Sequence, residues 1–204
     1  MQNRVDPFGV LHSVSARGSM MGNRGGRFHR SGQRLGNRHW ASRQWLICVC
    51  EFKNRHRSVW GHGYTELFFL DEITGLAAGH RPCFECRRAA ARDFCTAVRV
   101  RSAPALDELL HRQRLHDGHK RSFVAPWRSL PDGAMFIIGT QPYALQNRRA
   151  LPWSFSGYGP AQTFPQSLEV TVLTPPSSIL ALAAGYQAQA AAAVPTPHKI
   201  HQSV

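Results

Sequence analysis

Acidic residues are scarce in this chain. Twelve Asp and Glu stand against 25 Lys and Arg among 204 residues, leaving a formal net charge of +13. Lysine is scarcer still: only Lys53, Lys120 and Lys199 occur, so nearly every base is an arginine. The planar, forked guanidinium suits phosphate better than an ammonium point charge does. This balance excludes an acidic solvating tail and points to a polyanion partner, nucleic acid first. Cysteine is also sparse, with five in all, which excludes a disulfide-dense miniprotein. No run of about eighteen apolar residues occurs, so no membrane-spanning helix is expected. The N-terminus shows neither an apolar targeting core nor a small-residue cleavage site, and the expected location is the cytoplasm.

The charge that is present is uneven. Residues 1–60 hold eleven bases and two acids, Asp6 and Glu51, and so carry most of the excess. Residues 1–24 lack apolar periodicity and read as a basic, loop-rich arm, since such a stretch cannot offset its own ordering entropy. From Trp45 to Phe52 the chain is β-branched and aromatic, as in a strand. Asp71 sits where a helix N-cap belongs, Ile73 to Ala78 fits two helical turns, and Gly79 is placed as the residue that ends them. Gly75 weakens that helix but permits close packing. A helix from about Cys86 to Val98 and another from Pro104, ending in a basic His-rich stretch, follow. Beyond Leu130 the texture turns to short apolar pieces and Pro/Gly turns. The expected class is α+β: a zinc-stapled module over 25–120, a β-rich piece with a terminal helix over 125–186, and a disordered tail over 187–204.

Four of the five cysteines form two close pairs, Cys48-x-Cys50 and Cys83-x2-Cys86. Without a secretory signal, such pairs read as metal ligands rather than disulfides. Two intervening residues let the chain curl so that both thiolates of Cys83 and Cys86 reach one zinc ion, about 2.3 Å from each, and a following helix N-terminus favours their negative charge. The first pair behaves differently. Residues two apart on a strand face one side but lie almost 7 Å apart, so a straight strand supplies one ligand. Cys48 is the choice, because Cys50 falls at the fraying end beside Glu51. A histidine, His29 or His80, is left to complete the set, with Cys50 as a further alternative. Cys95, inside a helix, reads as a core thiol.

The run Tyr64-Thr-Glu-Leu-Phe-Phe-Leu-Asp-Glu-Ile-Thr-Gly-Leu-Ala-Ala-Gly-His-Arg-Pro-Cys-Phe-Glu-Cys-Arg-Arg88 resembles the second half of the Ada-type zinc domain of bacterial DNA methylphosphotriester repair proteins. The whole chain is similar to a family of uncharacterised bacterial proteins that carry the same run. The resemblance implies zinc held by Cys83 and Cys86, and makes Arg81, Arg87 and Arg88 candidates for a DNA-phosphate face. Phe28-His29 looks like an aromatic-His pair found in nuclease-associated variants, which favours His29 as the fourth ligand. One departure matters: the repair proteins place a C-x3-C pair where this chain has C-x-C, so no residue matches their methyl acceptor.

Aromatics interleaved with arginines add a second candidate surface. Trp40 lies in a segment that also carries Arg24, Arg27 and Arg30, where bases can stack on the ring while guanidiniums engage phosphates. The competing reading of Trp40 is an anchor that ties this segment to the core. The sequence therefore predicts a zinc-binding protein with a nucleic-acid partner, DNA before RNA, and identifies no catalytic residue.

Overall fold

A computed structural model of the chain describes residues 1–55 and 58–191. The tail expected over 187–204 falls mostly, from residue 192 onward, outside the described residues. In chain order the elements are β1 (Arg4–Val5), β2 (Leu11–His12), β3 (Met20–Arg24), β4 (His29–Arg30), β5 (Arg34–Leu35), β6 (Trp45–Val49), β7 (Leu67–Phe69), α1 (Glu72–Ala77) and β8 (Arg81–Pro82). There follow α2 (Arg88–Val98), α3 (Ala103–Arg114), the small hairpin β9 (Leu115–His116) and β10 (His119–Lys120), and β11 (Phe123–Pro126). The last are β12 (Met135–Ile138), β13 (Gln141–Gln146), β14 (Arg149–Ser154), β15 (Gly157–Tyr158), β16 (Glu169–Val172) and α4 (Pro176–Ala183). The α+β class expected from the sequence is what forms.

Two six-stranded sheets organise the chain. The first runs β2-β1-β7-β3-β6-β8, with β3 antiparallel to both β6 and β7. The second, β11-β16-β12-β13-β14-β15, is antiparallel throughout. Residues 1–24 are therefore not an arm, which corrects the sequence reading. They supply three strands of the first sheet, with Val5 fully buried and β3 at its interior. Strands of two residues show no periodicity, and β1 is revealed only by its pairings, Arg4↔Phe68 across the chain and Arg4↔His12 and Val5↔Leu11 with β2.

Helices α2, α3 and α4 cover the first sheet. Phe94, Leu106, Leu110, Ala181 and Leu182 join Ile47, Leu67 and Phe69 in one buried cluster. The terminal helix thus belongs to the first core as much as to the β-rich region, a second correction. Residues 187–191 also depart from expectation. The Gln189 carbonyl accepts from the Glu72 amide at 3.1 Å, its amide donates to Glu72 Oε2 at 2.9 Å, and the Ala191 amide donates to Asp71 Oδ2 at 2.9 Å.

Helix α1 forms as its sequence dictates. Asp71 accepts from the Thr74 amide at 2.9 Å, and Gly79 ends the helix with φ +88°. It also joins the two sheets, because the second sheet docks on it. Trp153 Nε1 donates to Thr74 Oγ1 at 3.0 Å and the Tyr158 hydroxyl to Asp71 Oδ2 at 2.8 Å. Gly75 lies flush against the first sheet: a Cβ there would sit 2.8 Å from Ile47 Cδ1 and 2.9 Å from its Cγ1. Ile47 is fully buried and stiff at χ1, so it cannot yield freely. Gly75→Ala is expected to destabilise by about 1–3 kcal/mol despite its gain in helix propensity. A urea midpoint equal to wild type would refute this packing.

Candidate metal centre

Strand β6 is paired on both edges, to β3 with Met21 opposite Cys48, and in parallel to β8 with Ile47 opposite Pro82. This fixes Cys48 beside the point where β8 ends. The Cys83 amide donates to the Ile47 carbonyl at 3.0 Å, so the chain is still tied to β6 as it enters the turn. The Arg87 amide closes that turn onto the Cys83 carbonyl at 3.0 Å, and α2 begins one residue later. The three Sγ atoms of Cys48, Cys83 and Cys86 lie within 4.8 Å of one another. Tetrahedral zinc with bonds of about 2.3 Å needs sulfurs about 3.8 Å apart, a distance that small side-chain rotations supply. The group can hold a metal ion.

The surroundings favour negative charge at this point. The Glu85 amide donates to Cys83 Sγ at 3.4 Å, the Cys86 amide also points at that sulfur, and the Val49 amide donates to Cys86. Hydrogen bonds from the thiols of Cys48 and then Cys86 pull Cys83 down to about 2, against the opposing effect of burial. Cys48 is pushed well above its ordinary value, first by its bond to Cys83, then by Cys86 and by burial. Cys86 also ends higher: the bond from Cys48 lowers it, but donating to Cys83, burial and the Cys83 charge prevail. Crowding of the three sulfurs thus favours the thiolate at Cys83 and disfavours it at Cys48 and Cys86. A bound cation would favour the thiolate at all three sulfurs.

The remaining sequence-predicted ligands lie elsewhere. His29 is buried with both ring nitrogens engaged, Nδ1 with Thr65 Oγ1 at 2.8 Å and Nε2 with the Gly61 carbonyl at 3.1 Å. Its ring stacks on Trp60 at 5.4 Å. It is a packed core histidine and not a member of the cysteine group, which corrects the fourth-ligand assignment. His80 is likewise buried, between Trp45 and Phe69, with Arg24 Nε on its Nε2 at 3.3 Å. Cys50 lies beyond the end of β6, is exposed, and donates to the Ser19 carbonyl at 3.4 Å. Cys95 is buried in the core, as its helical position suggested. Among the described residues three sulfurs make the set. Its open side faces a cavity of about 790 Å³ lined by, among others, Gln44, Lys53, Arg55, Tyr64 and Glu66.

Comparison with family models, curated proteins and solved structures found no match. The site must be read from its own chemistry.

The arginines proposed for a phosphate face divide sharply. Arg81 is buried and forks onto Asp107, with Nε to Oδ1 at 2.9 Å and Nη2 to Oδ2 at 2.8 Å. Arg87 forks onto Glu72 at 2.7 Å on both arms. Arg24 is buried as well, its guanidinium 4.0 Å above the Trp45 ring. None of the three lies on an exposed face, so their assignment to a nucleic-acid surface is corrected. Arg27, Arg30 and Arg88 are exposed, as expected for such a surface. Trp40 is half-buried and packs on Trp45 at 5.9 Å and His111 at 6.0 Å, the anchor reading rather than a free stacking platform.

Burial also sharpens the charge. Asp6, Glu66, Asp71, Glu72 and Asp107 are buried against four arginines, Arg24, Arg81, Arg87 and Arg114. Folding therefore withdraws slightly more negative than positive charge from the surface. Among the described residues no helix is long and apolar enough to cross a membrane.

Proposed function

We propose that the chain is a zinc-binding protein that engages nucleic acid, DNA before RNA, through its exposed arginines. The observation that carries the metal half is the convergence of Cys48, Cys83 and Cys86 from a doubly paired strand and the turn beside it. An all-sulfur donor set without a carboxylate suits a soft or borderline ion, and zinc is the common occupant of a single tetrahedral site of this kind. When bound, zinc would supply local folding free energy and hold all three sulfurs as thiolates. The Ada-type likeness of residues 64–88 supports the same assignment. Metal analysis of purified protein should give about one zinc per chain, and cobalt substitution should give the intense sulfur-to-metal absorption of a thiolate site. Absence of both would remove this half of the reading.

The nucleic-acid half is supported by the charge of +13, its concentration in residues 1–60, and the exposure of Arg27, Arg30 and Arg88. Each phosphate neutralised releases counterions, so affinity for a labelled duplex should fall steeply with salt, with a log–log slope of about −0.9 per contact. Replacing Arg27, Arg30 and Arg88 together by Ala should flatten that slope by up to about three contacts' worth and weaken binding to all sequences alike. Fluorescence anisotropy with duplex DNA and with RNA at several salt concentrations measures this. Undetectable binding of either at low salt would leave a structural zinc protein whose basic surface meets another protein.

A second reading, a DNA-acting enzyme, is favoured by one observation: the sulfur set opens onto the 790 Å³ cavity. A zinc-bound thiolate is a competent nucleophile. On a methylated phosphate it would form an S–CH3 bond as the O–CH3 bond breaks, and the phosphodiester would leave as its anion. Intact mass after incubation with methylated DNA decides this, since transfer adds one CH2.

A further inference from the structure

A separate cavity, of about 290 Å³, lies where the end of β3, the end of α3 and the β9–β10 hairpin meet. Its wall contains Arg24, Arg114 and Lys120, together with Trp45, Trp40 and His39, and no carboxylate. None of the three cations forms a salt bridge with any described residue. Their partners are neutral. Arg24 donates Nη2 to the Gly9 carbonyl at 2.7 Å, Nη1 to the His39 carbonyl at 3.3 Å, and Nε to His80. Arg114 donates to the carbonyls of Gly79 at 3.0 Å and Arg43 at 2.7 Å, and the Lys120 ammonium ends on the Ala77 carbonyl. Arg114 Nε is buried and has no partner.

The two guanidiniums are held in place by packing. Trp45 lies between them, with Arg24 at 4.0 Å and Arg114 at 3.9 Å from its ring. Arg114 is only 1% exposed and Arg24 2%. Uncompensated buried cations are costly, and proteins ordinarily pair them with an acid. The acids that these three cations feel are committed elsewhere: Asp6, felt by Arg24 and Lys120, to His12 Nε2 at 2.8 Å and the Val10 amide at 2.9 Å, and Asp107, felt by Arg114, to the fork of Arg81. Consistent with this, burial lowers the Lys120 ammonium to about 7, with Arg24 and Arg114 adding to the effect against the pull of Asp6. The sequence offered one sign of the arrangement. Leu106, Leu110 and Arg114 recur at intervals of four, so the arginine occupies the buried stripe of α3 and not its solvated end.

We propose that this cavity is a binding site for a dianionic phosphate monoester. Three cations without an acid call for more negative charge than one carboxylate carries, and a phosphate monoester has close to two charges and three acceptor oxygens at neutral pH. The site uses none of the cysteines, so its failure leaves the metal reading untouched.

The test uses the full chain and inorganic phosphate as the first probe, with sodium chloride at matched ionic strength as the control. Phosphate should raise the thermal midpoint where chloride does not, and titration calorimetry should give a saturable isotherm. Lys120→Met keeps the stem and removes the charge, and should weaken phosphate binding about tenfold or more while retaining the fold by circular dichroism. Arg114→Lys keeps the charge and loses the fork, and should weaken it comparably; should that variant not fold, Lys120→Met decides. A wild-type response equal to that of chloride, or undiminished phosphate binding by Lys120→Met, would overturn the proposal.

Two further probes distinguish the source of the monoester. Tighter binding of a 5′-phosphorylated than a 5′-hydroxyl single strand assigns the site to a nucleic-acid end. Equal binding of the two strands, with a mononucleotide displacing phosphate, assigns it to a free nucleotide. If neither monoester competes with phosphate, the assignment to monoesters falls.

Discussion

Cys83→Ser should cost the protein its stoichiometric zinc and lower its thermal midpoint by on the order of 10 °C. Serine preserves the size of the side chain and leaves the backbone bond from residue 83 to the Ile47 carbonyl in place. What it removes is one of three soft ligands. Metal binding at thiolate sites supplies apparent free energy of order 10 kcal/mol, and even a third of that shifts a chain of this size by about 10 °C. The fold should not be lost altogether. The first sheet and its three helices share a buried cluster from Val5 to Tyr186 that contains none of the three clustered cysteines. Chelation of wild type should reproduce the shift, whereas chelation of the variant should add nothing. A variant that retained one zinc per chain would remove Cys83 from the ligand set.

A comparably large effect is expected from Arg87→Ala, measured by denaturant unfolding. The guanidinium makes two parallel bonds of 2.7 Å to Glu72, which is fully buried. Glu72 also accepts from the Tyr186 hydroxyl at 2.5 Å and the Gln189 amide at 2.9 Å. Removing the arginine strands a carboxylate among groups arranged to hold it charged, and breaking such a pair costs about 3–5 kcal/mol. Replacing both partners with apolar residues should cost less than either single change, the pattern of a buried pair measured by a double-mutant cycle. Duplex affinity per folded molecule should be unchanged by Arg87→Ala, in contrast to the triple replacement of Arg27, Arg30 and Arg88. Weakened binding with unchanged stability would return Arg87 to the surface role that the resemblance implied.

Much of the site was legible because its signals are local. Asp71, Gly75 and Gly79 stand at fixed offsets around one short helix, and each does what its offset implies. Cys83-x2-Cys86 needs only a turn to bring its sulfurs together. The spacing of residues on a strand limited the first pair to one ligand, and the place of Cys50 at the fraying strand end pointed to Cys48. The fourth ligand failed for a non-local reason: His29 finds Thr65 and Gly61 more than thirty residues away, and nothing near it in sequence announces them. The arginines failed in the same way. Arg81 meets Asp107 across 26 residues, and a buried guanidinium looks like an exposed one until its acid is known. The first 24 residues were misread because their strands are too short to show a period and Gly22 has no side chain to show one. A Cβ at Gly22 would sit 2.1 Å from the Leu46 carbonyl oxygen, so the glycine marks a crowded sheet interior and not a loop.

The position of Glu72 bears on how the chain is made. Its carboxylate is completed by Tyr186 and Gln189, and the Asp71 carboxylate beside it by Tyr158 and Ala191. A nascent chain that has emerged only as far as α2 carries Glu72 and Arg87 with half their partners still unmade. The apolar face that α4 will cover is open at the same stage. These hydrogen bonds can form only after residue 191 has been made, so the carboxylates of the first sheet's short helix are the last part of that core to be completed.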